Sequence, residues 1–282
     1  MIRPASQTAL TTAAARAAHL IVDSGPTIFS DTLALALLGD EGDELVDYHR
    51  RHGEHPVLSA ARALVVCRSR YTEDQVIGAA ARGVSQYVIL GAGLDTFAHR
   101  QATDSRLRVY EVDHQASQED KRERLAAAGI AVPASLTHVP VDFETETVTE
   151  DLGRAGFDPS APAVVSWLGV TMYLTAEAIG QTLAAVGRWA PGTELMVEYM
   201  LDVDSRDAAG QSYVDQMMPL AAQRGEPWLS PLAPADIEGM LIAAGFNRVR
   251  HVAQRDMVPA EAWVRSDSLR PARLSAIAHA RT

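Results

Sequence analysis

Cysteine is almost missing from this chain: Cys67 stands alone among 282 residues. No internal disulfide can form, so the fold must rest on its core, and a reducing compartment is expected. No apolar run approaches the roughly 18 residues of a membrane span, which excludes a helical membrane protein. The opening, "MIRPASQTALTTAAARAAHLIV", has alanines but no continuous apolar stretch followed by a small-residue cleavage site. A cytoplasmic protein is therefore the expectation. Positive charge is also short: 25 Lys and Arg face 36 Asp and Glu, a formal net charge of −11. Phosphate binding needs a basic patch, so a nucleic-acid partner is excluded as well. Histidines are scattered with no zinc spacing, and no metal is expected. Repeats and low-complexity tracts are lacking too.

What remains is an ordinary globular composition, 47% hydrophobic and 22% charged, long enough to bury a large core. Up to Gly83 the pattern is helical. "TALTTAAARAAHLIVDSG" sets Leu10, Ala13, Ala14, Ala17 and Ile21 on one face, and "FSDTLALALLGD" follows with Ser30 or Asp31 as its cap and Gly39 as its stop. "HPVLSAARALVVCRSRYTEDQVIGAAARG" supplies one or two more helices. From Ser85 the rhythm changes. Strands are expected at Gln86–Leu90, Leu107–Val112, Ser135–Val141, Ala163–Trp167, Glu194–Tyr199 and Asn247–Ala253, with helices between them and one last strand in "RLSAIAHART". Such alternation predicts an α/β, doubly wound, mostly parallel sheet. The expected organisation is a helical cap over 1–83 and a Rossmann-like domain over 84–282, interrupted near 202–234 by a helical insertion.

In such a sheet, ligands bind beyond the carboxyl ends of the strands. The first strand leaves through Gly91-Ala92-Gly93, a turn that lets backbone approach a ligand. Glu111 and Asp113 end the next strand, about 20 residues on, where an acid accepts hydrogen bonds from ribose. Asp142 and Phe143 follow the third strand, an acid for an adenine amino group and an aromatic to cover the ring. A dinucleotide site wants a third glycine, but Thr96 stands there, and Asp95 would repel a phosphate at the next helix. An acid there suits a ligand with an amine and no phosphate, as in S-adenosylmethionine.

"VVCRSRYTED", "VILGAGLDTFAHR", "VYEVDHQ", "VPVDFE" and "SWLGVTMYLT" resemble the leucine carboxyl methyltransferase family of class I S-adenosylmethionine-dependent enzymes, including its bacterial polyketide O-methyltransferase branch. The resemblance covers nearly the whole chain. It implies that Arg68 binds the cofactor carboxylate with Arg70 nearby, since an Arg fork bonds both oxygens. It implies that Gly91, Gly93 and Asp95 hold the methionine part, Glu111 and Asp113 the ribose, and Asp142 and Phe143 the adenine. Gly169 and Tyr173 would line the floor. Two positions depart from the family: Phe97 where an Arg is frequent, and Leu168, still expected beside Gly169 among the cofactor-binding residues, where the eukaryotic enzymes have a cofactor-touching Glu.

The resemblance implies methyl transfer to a small molecule, at a carboxyl or a hydroxyl. An ionised carboxylate needs only orientation, for which Arg70 or Tyr173 is a candidate. A phenol needs a base. His19, His99, His114 and His138 are the histidines considered, and His19, in the cap, is the one named. The Met217-Met218 pair and Trp228 would suit an apolar substrate site. Two other readings compete: a non-catalytic S-adenosylmethionine-binding interaction protein, suggested by Leu168 and Phe97, and a nicotinamide dehydrogenase.

Overall fold

A computed structural model of the protein describes residues 7–101 and 106–282. Four helices come first: α1 (Gln7–Val22), α2 (Ala34–Leu38), α3 (Glu41–His52) and α4 (Pro56–Ala81). The alternating part follows as β1 (Gln86–Leu90), α5 (Phe97–Arg100), β2 (Arg108–Asp113), α6 (Gln115–Ala127), β3 (Leu136–Pro140), α7 (Val148–Arg154), β4 (Val164–Trp167), α8 (Ala176–Val186) and β5 (Glu194–Met200). The chain closes with α9 (Ala208–Gln223), α10 (Pro234–Ala243), β6 (Arg248–Ala253) and β7 (Ser275–Arg281).

The strands form one sheet in the order β3-β2-β1-β4-β5-β7-β6. The first five are parallel, and β7 runs antiparallel between β5 and β6. Every residue of β1, β4 and β5 is buried, which explains their continuous apolar runs: helices cover both faces. Val88, Leu90, Val112, Val165 and Trp167 face α7, α8 and α10, while Tyr87, Ile89, Val109 and Met196 face the α4 side. Each expected strand is present to within a residue or two.

The helical opening packs as its alanines require. Small side chains at Ala13, Ala14 and Ala17 of α1 let it lie close against Leu37, Leu38 and Val46 of α2 and α3, with Leu94 of the loop after β1 in the same cluster. Ile21 does not join that face; it is 40% exposed. Asp31 caps α2 by accepting from the Leu33 and Ala34 N–H groups at 3.1 Å. The segment after His55 is a single helix, α4, opened by the His55 ring, which accepts from Val57 N–H, and by Pro56 at its first position.

Candidate functional site

Beyond the carboxyl ends of β1, β2 and β4 the backbone makes a cradle. Gly91 and Gly93 have φ of +69° and +46°, the left-handed region. The Gly91 and Ala92 N–H groups donate to the Val112 carbonyl at 2.7 and 3.2 Å, tying the turn to β2. Gly93 N–H donates to Asp113 Oδ2 at 2.6 Å, and His114 N–H to Asp113 Oδ1 at 2.7 Å. Burial pushes the Asp113 carboxyl above its ordinary range, and these two N–H groups oppose that shift. Asp95 stands at the start of α5, where its Oδ1 accepts from Phe97 N–H at 2.7 Å. Asp142 bends the chain after β3 by accepting from Glu144 N–H at 3.0 Å, and the Phe143 ring lies 6.0 Å from that of Trp167 at the end of β4.

Arg68 reaches the same end of the sheet from α4. Its Nη1 donates to Glu198 Oε2 at 2.6 Å, and Glu198, fully buried on β5, also accepts from Ser275 Oγ at 2.8 Å. Gly169 makes room for the guanidinium: a Cβ there would stand 2.8 Å from Arg68 Nη2. Leu168, half-buried, packs on the α4-side core cluster. A cavity of about 490 Å³ opens from Arg68 and Gly169 between α1, α3, α4 and α9. That volume is in the range of small-ligand sites. Met217 and Trp228 line it, as do Tyr173 and Glu226. Thr8 Oγ1 joins the last two, 3.1 Å from Tyr173 Oη and donating to Glu226 Oε2 at 2.5 Å. Burial raises the Tyr173 phenol above its ordinary pKa, so at neutral pH it is a donor, not a base.

Three expected site residues lie elsewhere. Glu111 sits one pleat before Asp113, opposite Ile89 and His138, and its Oε2 accepts from Lys121 of α6 at 2.6 Å with both side chains buried. Asp113, not Glu111, reaches the glycine turn. Arg70 is on the outer side of α4 in an exposed pair with Asp74, because two positions on a helix turn a side chain by about 200°. His19 is buried with both ring nitrogens engaged: Nδ1 is 3.0 Å from Asp23 Oδ2, and Nε2 accepts from Ile28 N–H at 3.0 Å. It braces α1 and does not line the cavity.

A group of residues outside the sequence reading buttresses the turn. Arg16 of α1 bonds Asp31 at 2.7 Å and the Leu94 carbonyl at 2.6 Å. Arg100 pairs with Glu73 of α4, bonds Thr96 Oγ1 at 2.9 Å and lies over the Phe29 ring. Burial, with Asp95 and Asp31 nearby, pushes the Glu73 carboxyl up to about 7 despite Arg100. Glu198 had a legible signal: an acid in the middle of the apolar strand "ELMVEYM", away from the Glu194 that opens it, must find a buried partner.

The sequence profile of the leucine carboxyl methyltransferase family matches residues 9–187. The chain belongs to that family. The match spans Arg68, the glycine turn, Asp113, Asp142, Gly169 and Tyr173, whereas Glu198 and Glu226 lie beyond it. Among relatives, YktD of Bacillus subtilis (strain 168), provisionally named an S-adenosyl-L-methionine-dependent methyltransferase, is 29% identical over 89% of this chain and 90% of its own. Franean1_4929 of Parafrankia sp. (strain EAN1pec), named in the same way, is 34% identical over 68% of this chain and 62% of its own. A crystal structure of a provisionally named methyltransferase from Thermobifida fusca YX superposes with a TM-score of 0.59 at 21% identity, covering 91% of this chain and 96% of that one. A DUF574 family protein from Streptomyces avermitilis reaches 0.59 at 17% identity, covering 95% and 96%. At these identities the two structures speak for the fold alone.

Proposed function

We propose that the chain transfers the methyl group of S-adenosylmethionine to an oxygen of a small molecule, with a carboxylate ahead of a hydroxyl. Family membership makes it a methyltransferase dependent on that cofactor. The observation that carries the rest is the cavity of about 490 Å³ whose inner end is Gly169, next to Val170, the residue packed on Gly91 of the glycine turn. An acceptor lodged there meets the cofactor site end-on.

The donor set fits the cofactor. Asp113, fixed by the turn it helps to hold, would take the ribose, and Asp142 with Phe143 the adenine. Asp95, at the start of α5, would meet an amine. Arg68, anchored on Glu198, would meet the cofactor carboxylate. When bound, the cofactor supplies an electrophilic methyl on a sulfonium. The protein's own tasks are alignment and exclusion of water, which α1, α4 and α9 accomplish by roofing the cavity. Tyr173, with its raised pKa, stays protonated at neutral pH, and His49, held down to about 4, is too weak a base to deprotonate a phenol; a carboxylate needs no base.

Titration calorimetry with S-adenosylmethionine, S-adenosylhomocysteine and NAD, followed by labelled methyl transfer to a panel of carboxylic acids and phenols, tests this reading. Micromolar binding of the adenosyl ligands, no binding of NAD and transfer to acids are expected. Tight NAD binding alone would overturn it, and adenosyl binding with no transfer to any acceptor would favour a non-catalytic protein. Asp113→Ala is expected to weaken adenosyl binding by about 1–3 kcal/mol. Glu111→Gln is expected to leave that affinity unchanged while lowering the melting temperature, because it leaves Lys121 buried without its counter-charge. The reverse pattern in the same titrations would return the ribose contact to Glu111.

A further inference from the structure

The cavity has a second polar feature that the methyl-transfer reading does not use. His49, in the last turn of α3, lines it and is more than nine-tenths buried. Its Nδ1 lies 3.2 Å from Arg62 Nη1. Arg62 is fully buried and held rigidly: it grips Asp23 through Nε at 2.9 Å and Nη2 at 2.8 Å, and it donates to the Gly53 carbonyl at 2.8 Å. Asp23 is steadied in turn by His19. A guanidinium can only donate, so His49 Nδ1 must accept. The neutral ring then carries its single proton on Nε2. Burial, and after it the Arg62 charge, push the His49 pKa down to about 4, with Asp23 opposing, so the ring is neutral at pH 7. No hydrogen bond to Nε2 is present among the described residues. The result is an oriented N–H donor on the wall of a largely apolar cavity, open to an acceptor oxygen that enters it.

The position of His49 along the cavity adds a length. Arg62 and Arg68 stand on the same helix, about 9 Å apart along its axis at about 1.5 Å per residue. Arg68 marks the methyl-transfer end and Arg62 marks the level of His49. Resting on the function proposed above, we propose that His49 is a specificity-determining residue that donates its Nε2–H to an oxygen of the methyl acceptor remote from the oxygen that is methylated. The acceptor is then an elongated, mostly apolar molecule of about two fused rings. It carries a carbonyl, ether or hydroxyl oxygen at the end opposite its nucleophile. A cationic group at that end is excluded by Arg62, and an alkyl group leaves the N–H unpaired.

A matched pair of probes reads this directly: 6-acetyl-2-naphthol, which carries a carbonyl oxygen remote from its hydroxyl, and 6-ethyl-2-naphthol, which does not. Both are titrated by fluorescence into protein saturated with S-adenosylhomocysteine. Wild type is expected to bind the acetyl compound about ten-fold more tightly, an effect of one hydrogen bond. His49→Phe should erase the ratio. His49→Gln should restore most of it, because its carbonyl can accept from Arg62 while its amide N–H faces the cavity. Thermal melts confirm that both variants are folded. Equal binding of the two probes by wild type, an unchanged ratio in His49→Phe, or no binding of either probe overturns the proposal and leaves the methyltransferase reading standing. Failure of S-adenosylhomocysteine to bind wild type overturns that reading, and the role of His49 falls with it.

Discussion

Gly91→Ala is expected to abolish adenosyl binding and to destabilise the fold by about 2–5 kcal/mol, the sum of two separate penalties. The first is in the backbone: φ at Gly91 is +69°, and a side chain there costs about 1–2 kcal/mol. The second is in the packing. A Cβ on Gly91 would stand 2.2 Å from Cγ2 of Val170, a distance no two non-bonded carbons tolerate, and relieving it costs about 1–3 kcal/mol. Val170 cannot retreat without cost, since it follows Gly169, itself at φ +70° beneath the Arg68 guanidinium. The strain would therefore pass to the floor shared by the cradle and the cavity. The double variant Gly91→Ala, Val170→Ala separates the terms. It should recover the packing part in urea melts and retain the backbone part, with binding only partly restored. A single variant as stable as wild type would mean that the turns after β1 and β4 do not meet as described.

That glycine turn was the most legible part of the molecule, and the reason is local. A strand of five buried residues followed by glycines needing positive φ declares itself within a few positions of sequence. The strands read well for the same reason, as continuous apolar runs between breakers. Legibility fell where a side chain's direction depended on distant partners. Arg68 and Arg70 look alike in "CRSRY", yet one meets Glu198 across the sheet and the other faces solvent with Asp74. Glu111 and Asp113 share a strand face, and only the reach of α6, which brings Lys121, decides between them. The helix α3 escaped the reading because its apolar face is nearly empty: only Gly42, Val46 and His49 are buried. Its signal was electrostatic, with Glu41, Asp43 and Glu44 in the first turn and His49 to His52 in the last, a distribution that complements the helix dipole. His19 carried a sign of its structural role in Asp23, four residues on and one helical turn away.

Arg62→Ala is expected to lower stability by about 3–5 kcal/mol, the range for breaking one side of a buried ion pair. Arg62 has no exposed surface and the Asp23 side chain almost none, so the variant strands a buried carboxylate whose one other hydrogen-bond partner among the described residues is His19. For a chain of this size that corresponds to a fall in melting temperature of about 5–8 °C. Arg70→Ala is the control from the same helix. Its pair with Asp74 is about half exposed on both sides, and its loss should stay within about 0.5 kcal/mol. The pair variant Arg62→Leu, Asp23→Leu should be more stable than Arg62→Ala, since it removes both charges and leaves neither unpaired. If Arg62→Ala melted within 1 °C of wild type or nearly so, water must reach Asp23, and the rigid support drawn for His49 would not exist. A large loss in Arg62→Ala with partial recovery in the pair would place the junction of α1, α3 and α4 under one buried charge pair. The same contacts that hold the cavity roof together would then also set the direction of the N–H group facing the acceptor.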